Sequence, residues 1–165
     1  MTLTTHAITG AGFAVLLPTH PVGAFALGFV SHFLLDAIPH WDYSLSSMQS
    51  DGKNKLNNDM KLGKDFLRDL AKVATDALLG VSLSVLVFGM FLHLSFLTVV
   101  CGAIGAILPD ALQFVYMKWR HEPFVTLQRF HMWIHAEKHL NDRPVVGILS
   151  QVVLIVLVVF VFNLL

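Results

Sequence analysis

The stretch SHFLLDAIPHWDY, from Ser31 to Tyr43, decides how the chain reads. It sets His32, Asp36, His40 and Asp42 at the end of a segment that is otherwise apolar enough to enter a membrane. Ionisable groups at that depth are costly, and those that persist usually serve a task. Imidazole and carboxylate together are the donors that zinc and similar ions take. His32 and Asp36 are one helical step of four apart, so both leave the same face of a helix. Pro39 ends or bends that helix, and His40 and Asp42 then turn back towards the same point. Further along, His131, His135 and His139 repeat the step of four. The two groups together suggest a metal site at a membrane surface.

Outward from this stretch the chain is greasy. It has 165 residues, 55% of them hydrophobic and only 13% charged, with zero formal net charge. The mean hydropathy is +0.68. These values fit one integral membrane domain and exclude an ordinary soluble fold or a basic nucleic-acid binder. The single cysteine, Cys101, excludes a thiolate metal site and an intrachain disulfide. No Lys or Arg precedes the first apolar stretch, which therefore does not read as a cleaved signal peptide.

Four long apolar segments, 22–38, 70–92, 94–117 and 145–165, each approach the ~20 residues that a spanning helix needs. A shorter one, 7–17, precedes the breaker Pro18–Pro21. The expected fold is all-α, with four transmembrane helices and a short re-entrant N-terminal helix that forms a hairpin with the first span. The competing reading is one kinked span from Ala7 to Ile38, which puts His6 on the opposite side. Residues 44–63 read as a loop, flexible in its polar first part, and 118–143 as a polar region with a helix in its middle. All 11 Lys and Arg residues lie between Lys53 and Lys72 or between Lys118 and Arg143. The positive-inside rule makes that side cytoplasmic. Trp41, Trp119 and Trp133 form its aromatic belt.

In this topology the candidate ligands gather on the cytoplasmic side. His32, Asp36, His40 and Asp42 end the hairpin's second helix. Asp76 lies in the cytoplasmic half of the next span, Asp110 follows Pro109 in the same half of the third, and the late histidines occupy the second polar region. His6 joins them if the hairpin forms. Asp76 is read as a ligand facing the bundle interior, with a Lys72–Asp76 ion pair as its rival; Asp65 and Asp69 are read as solvated. Asp42 or Asp76 is the candidate general base, and Arg129 and Lys72 are candidates to hold a phosphate. His20, His93 and His121 read as turn or surface residues. This donor set exceeds one first shell, so two or three zinc ions are expected, with manganese as an alternative. Two metals about 3.5–4 Å apart are the usual device for phosphoester hydrolysis. The expected substrate is a membrane lipid.

The early Thr5-His6, the SHFLLDAIPHWD block, the LPD of Leu108–Asp110 and the late histidines resemble a family of small bacterial inner-membrane proteins, the membrane-bound metal-dependent hydrolases. The resemblance covers most of the chain through short motifs. It implies a hydrolase whose presumed metal ligands fall on His6, His32, Asp36, His40, Asp42, Asp110, His131 and His135. Gln128-Arg129 stands where the family's late motif begins His-Arg. The ligand types are also similar to those of zinc-dependent phospholipase C. Two other readings remain open: a metal-ion transporter, whose ligands should continue across the bilayer, and a non-catalytic scaffold with a closed metal site.

Overall fold

The computed structural model describes residues 1–137 and 140–165. It is all-helical apart from one two-stranded antiparallel ribbon. The helices are α1 (Leu3–Gly12), α2 (Pro21–Asp36), α3 (Lys64–Ser84, running on in wider π-type turns over Val85–Phe91), α4 (Phe96–Lys118), α5 (Phe124–Ile134) and α6 (Pro144–Asn163). Three stretches, Lys64–Phe91, Phe96–Lys118 and Pro144–Asn163, are long and apolar enough to cross a membrane. The expected span at 22–38 is the apolar helix α2, whose 16 residues fall short of that length.

Helix α1 is the hub. Nearly every residue from Leu3 to Gly12 is buried, and α2, α3, α4 and α6 pack around it. Such a helix needs its orphan N–H groups satisfied from within the protein. Thr2 caps it by accepting from the Thr5 amide. The Asp76 carboxylate of α3 accepts from the Leu3 and Thr4 amides at 2.7 and 3.1 Å and from the Thr4 hydroxyl at 2.7 Å. Gln151 of α6 accepts from the Thr2 amide at 3.0 Å and the Thr5 hydroxyl at 3.1 Å. A negative charge at a helix N-terminus also complements the helix dipole.

Small residues bring the inner helices close. A methyl group on Gly28 of α2 would strike the Gly102 carbonyl of α4, and one on Gly105 of α4 would strike the Phe25 carbonyl of α2. This is the close packing that membrane helices use in place of a hydrophobic driving force. On the far side α1 turns into α2, and the Thr98 hydroxyl of α4 pins that turn through the Pro18 carbonyl at 3.0 Å. His93, in the α3–α4 turn, takes a positive φ of 55°.

The segment read as a loop is more built than its composition suggests. Strands β1 (Met48–Gln49) and β2 (Asp59–Met60) pair in it. Asp69, expected to be solvated, is buried and accepts from the Ser47 amide and hydroxyl at 2.7 Å each. Tyr116 donates to the Leu56 carbonyl, and Lys118 holds Asp59 at 2.6 Å. The histidine helix is shorter than expected. It stops at Ile134, and His135 is already extended. Beyond it the Ala136 amide donates to the Asp36 carbonyl at 2.7 Å and the Leu140 amide to the His40 carbonyl at 2.9 Å.

Candidate metal centre

Asp36, the last residue of α2, is almost wholly buried and lies among imidazoles from four parts of the chain. Its Oδ2 is 2.9 Å from His131 Nε2, 3.1 Å from His32 Nε2 and 3.8 Å from His135 Nε2. Its Oδ1 is 3.1 Å from His6 Nε2 and 3.9 Å from His40 Nε2. Asp110 closes one side, with Oδ1 3.6 Å from His32 Nε2. Ligand atoms from His32, Asp36, Asp110 and His131 all lie within 4.8 Å of one another, and so do those from Asp36, His40 and His135. Asp36 belongs to both sets.

Local structure explains the convergence. Four residues of helix stack His32 over Asp36. Pro39 stops that helix, and the chain bends so that His40 comes back beside Asp36. The α1–α2 hairpin returns the chain through the bundle and brings His6 against His32, rings stacked at 4.0 Å. A kinked span would have carried His6 to the other end of α2. His131 faces inward from α5, where it packs edge-on against Phe33 and His32.

The orientation of the rings is that of metal-binding histidines. His32 Nδ1 is 2.7 Å from the Ala106 carbonyl and His40 Nδ1 is 2.7 Å from the Ile38 carbonyl. A carbonyl can only accept, so each Nδ1 carries the proton and each Nε2 turns to Asp36. Fixing the tautomer through the remote nitrogen is the usual second-shell arrangement at metal sites. The Nε2 atoms of His32 and His131 are 3.3 Å apart, close enough to share a proton or to hold one cation between them. Both ring nitrogens of His6 are buried without a hydrogen bond among the described residues, although Nε2 is close to Asp36. Burial lowers the pKa of His40 to about 4 and also lowers that of His135, which keeps both rings neutral and able to donate to metal. The donor set could hold a metal ion.

Several expected site residues lie elsewhere. Asp76 is not with the cluster. Both its oxygens are taken by the start of α1, and the Tyr43 hydroxyl adds a further donor at 3.1 Å. It has no capacity left to serve as ligand or base. Asp42 stands at the rim, with its side chain 44% exposed and its Oδ2 3.8 Å from the Met1 amino group. Burial of the surrounding cleft pushes its pKa up to about 6. Arg129 is exposed and lines neither cleft described below, because two residues along α5 turn it away from His131. Lys72 donates to the Ser44 carbonyl at 2.9 Å and pairs with Asp69 at 3.7 Å, not with Asp76. His139 lies outside the described residues.

Sequence reading missed Gln113. It donates to Asp110 Oδ1 at 2.8 Å and accepts from Gln128 at 3.3 Å, so it aims the Asp110 carboxylate. Its place three residues after Asp110 on one helix face was the available signal.

Two clefts reach the cluster. One, of about 490 Å³, runs between α3 and α4 past Leu70, Val73, Ala74, Ile107 and Phe114 and ends at Asp36, Asp110 and His135. The other, of about 290 Å³, lies between the 48–58 ribbon and α5 and includes Lys55, Asn58, Gln128 and His131. No family model, curated protein or solved structure matches this chain.

Proposed function

We propose that the chain is a membrane-embedded, metal-dependent hydrolase that cleaves a phospholipid or other lipid phosphoester, in the manner of a phospholipase C or a lipid phosphatase. In this reading α3, α4 and α6 cross a bacterial inner membrane, the shorter α1 and α2 enter it as a hairpin from the cytoplasmic side, and the cluster faces the cytoplasm. The observation that carries the reading is the meeting of a His/Asp cluster with an open, mostly apolar cleft. A metal that only clamped segments together would be closed off by protein ligands, whereas a hydrolytic site keeps an open position. Here Asp36, Asp110 and His135 all line the cleft.

His32, Asp36, Asp110 and His131 would hold one ion, and Asp36, His40 and His135, with His6 adjacent, a second. Such ions, when bound, lower the pKa of water and neutralise charge developing on phosphoryl oxygens. The chain's own residues do the rest. The Ala106 and Ile38 carbonyls fix the His32 and His40 tautomers, and Gln113 orients Asp110. Asp42, on the rim, is placed to take a proton from the attacking water. The water oxygen bonds to phosphorus, the bond from phosphorus to the lipid alcohol oxygen breaks, and that oxygen takes up a proton. A transporter is less well supported, because the ligand sets gather at one end of α2 and the far end of the bundle packs Ala14, Phe88 and Val99.

The test is hydrolysis by purified protein of phosphatidylcholine and phosphatidic acid in mixed micelles. Zinc- or manganese-dependent release of phosphate or of the phosphorylated head, lost with chelator, is the expected result. Metal-replete protein that cleaves neither lipid, nor a generic phosphodiester, overturns the reading.

A further inference from the structure

The two clefts differ in kind and meet at the same place. The α3–α4 cleft is walled mainly by aliphatic and aromatic side chains, with Asp42 and Asp69 also on its lining and Asp36 and Asp110 at its inner end. Its lip is exposed: Ala74 on α3 and Ala111 on α4 both face outward, and Leu70 is 50% exposed. Small alanines on facing helices leave a slot where larger residues would have closed the seam. The second cleft is narrower and carries Lys55, Asn58, Gln128 and Glu137. Met48, Gln113, Met117 and His135 line both, so the two clefts adjoin beside the cluster.

Building on the hydrolase reading, we infer that the α3–α4 cleft is a lateral entrance for a single alkyl chain of an anionic phosphate-bearing lipid, and that the polar cleft receives its head. An occupant must be apolar over the length of α3 from Leu70 to Ala77 and polar at the cluster. Its polar end must also tolerate Lys55 and the cations that the His/Asp sets fit, which selects an anion. An alkyl phosphate meets all three requirements. Its chain reaches the cluster without leaving the hydrocarbon layer, because the lip lies on the faces of two membrane-spanning helices. The cleft volume of about 490 Å³ falls within the roughly 300–1,000 Å³ typical of small-molecule sites. After cleavage the alcohol returns along the apolar cleft, while the phosphate leaves through the polar one.

The test uses the full chain in phosphatidylcholine–phosphatidylglycerol nanodiscs that contain a trace of phosphatidic acid carrying a chain-terminal diazirine. After illumination, labelled peptides are mapped with and without excess dodecyl phosphate. Labelling that dodecyl phosphate removes should map to Leu70–Ala77 and Ile107–Phe114. Ala74→Phe, which fills the lip, should reduce it at least about tenfold while bound metal is unchanged. Ala74→Leu, a milder filling, should give a smaller loss in the same direction. Labelling that dodecyl phosphate does not displace, labelling spread evenly over the lipid-facing helices, or full labelling in both folded variants overturns the inference. Competable labelling without any phosphoester hydrolysis would keep the chain site and remove the hydrolase. Hydrolysis with only diffuse labelling would do the reverse.

Discussion

Asp36 and Asp76 look alike in the sequence and have opposite surroundings in the structure. Each is a carboxylate in a largely apolar helix. Asp76 is met by two backbone amides, a threonine hydroxyl and a tyrosine hydroxyl. Asp36 is met by imidazoles, at least two of which donate their Nδ1–H to a carbonyl, and by the Met1 amino group at 3.4 Å. The first set of partners donates hydrogen bonds to the carboxylate, and it caps a buried helix. The imidazoles of the second can offer lone pairs, and that set could hold a cation. A costly buried charge therefore signals importance, but the kind of partner decides whether it serves the fold or the chemistry.

Exchanging the two aspartates for neutral residues is the strongest way to break this contrast. Asp36→Ala should lower hydrolysis, followed as phosphate release from the micellar substrate, by more than the ~10–100-fold that loss of an outer-shell partner costs at a metal site. Asp76→Ala should instead lower stability by about 2–4 kcal/mol, since it removes the charged acceptor of two amides of a buried helix and leaves them orphaned. Unfolding in detergent by denaturant measures this. If Asp76→Ala is as stable as the wild type but inactive, the two roles have been assigned the wrong way round.

Smaller changes sharpen the boundary of the centre. Gln113→Ala frees the Asp110 carboxylate and should weaken metal binding by about tenfold, read by chelator competition. An affinity unchanged from wild type would remove Gln113 from the outer shell. Arg129→Ala should change turnover less than about twofold, because exposed charges away from a site contribute little. A loss on the order of a hundredfold would return Arg129 to the phosphate.

The sequence made the helices legible because their apolar runs are long and the charges sit between them. The convergence at Asp36 was legible in part. The His32–Asp36 step and the Pro39 break are local, and a hairpin at Pro18–Pro21 is enough to bring His6 back. Distant pairings were not legible. Nothing near Asp76 shows that Leu3 and Thr4, more than seventy residues earlier, will supply its donors. Asp69 read as solvated because Ser47, its partner, lies in a segment whose two-residue strands are too short to leave a periodic pattern. Arg129 was placed by composition, and the helical phase relative to His131 decides against it. The end of α5 at Ile134 likewise depends on its pairing with the end of α2.

The most direct measurement is metal content by elemental analysis after chelator-free purification, on wild type, Asp36→Ala and Asp76→Ala side by side. Stoichiometric zinc or manganese in the wild type and in the folded fraction of Asp76→Ala, with none in Asp36→Ala, is the expected pattern. A metal-free wild type, or metal kept by Asp36→Ala and lost by Asp76→Ala, would contradict the assignment of the cluster as a metal centre.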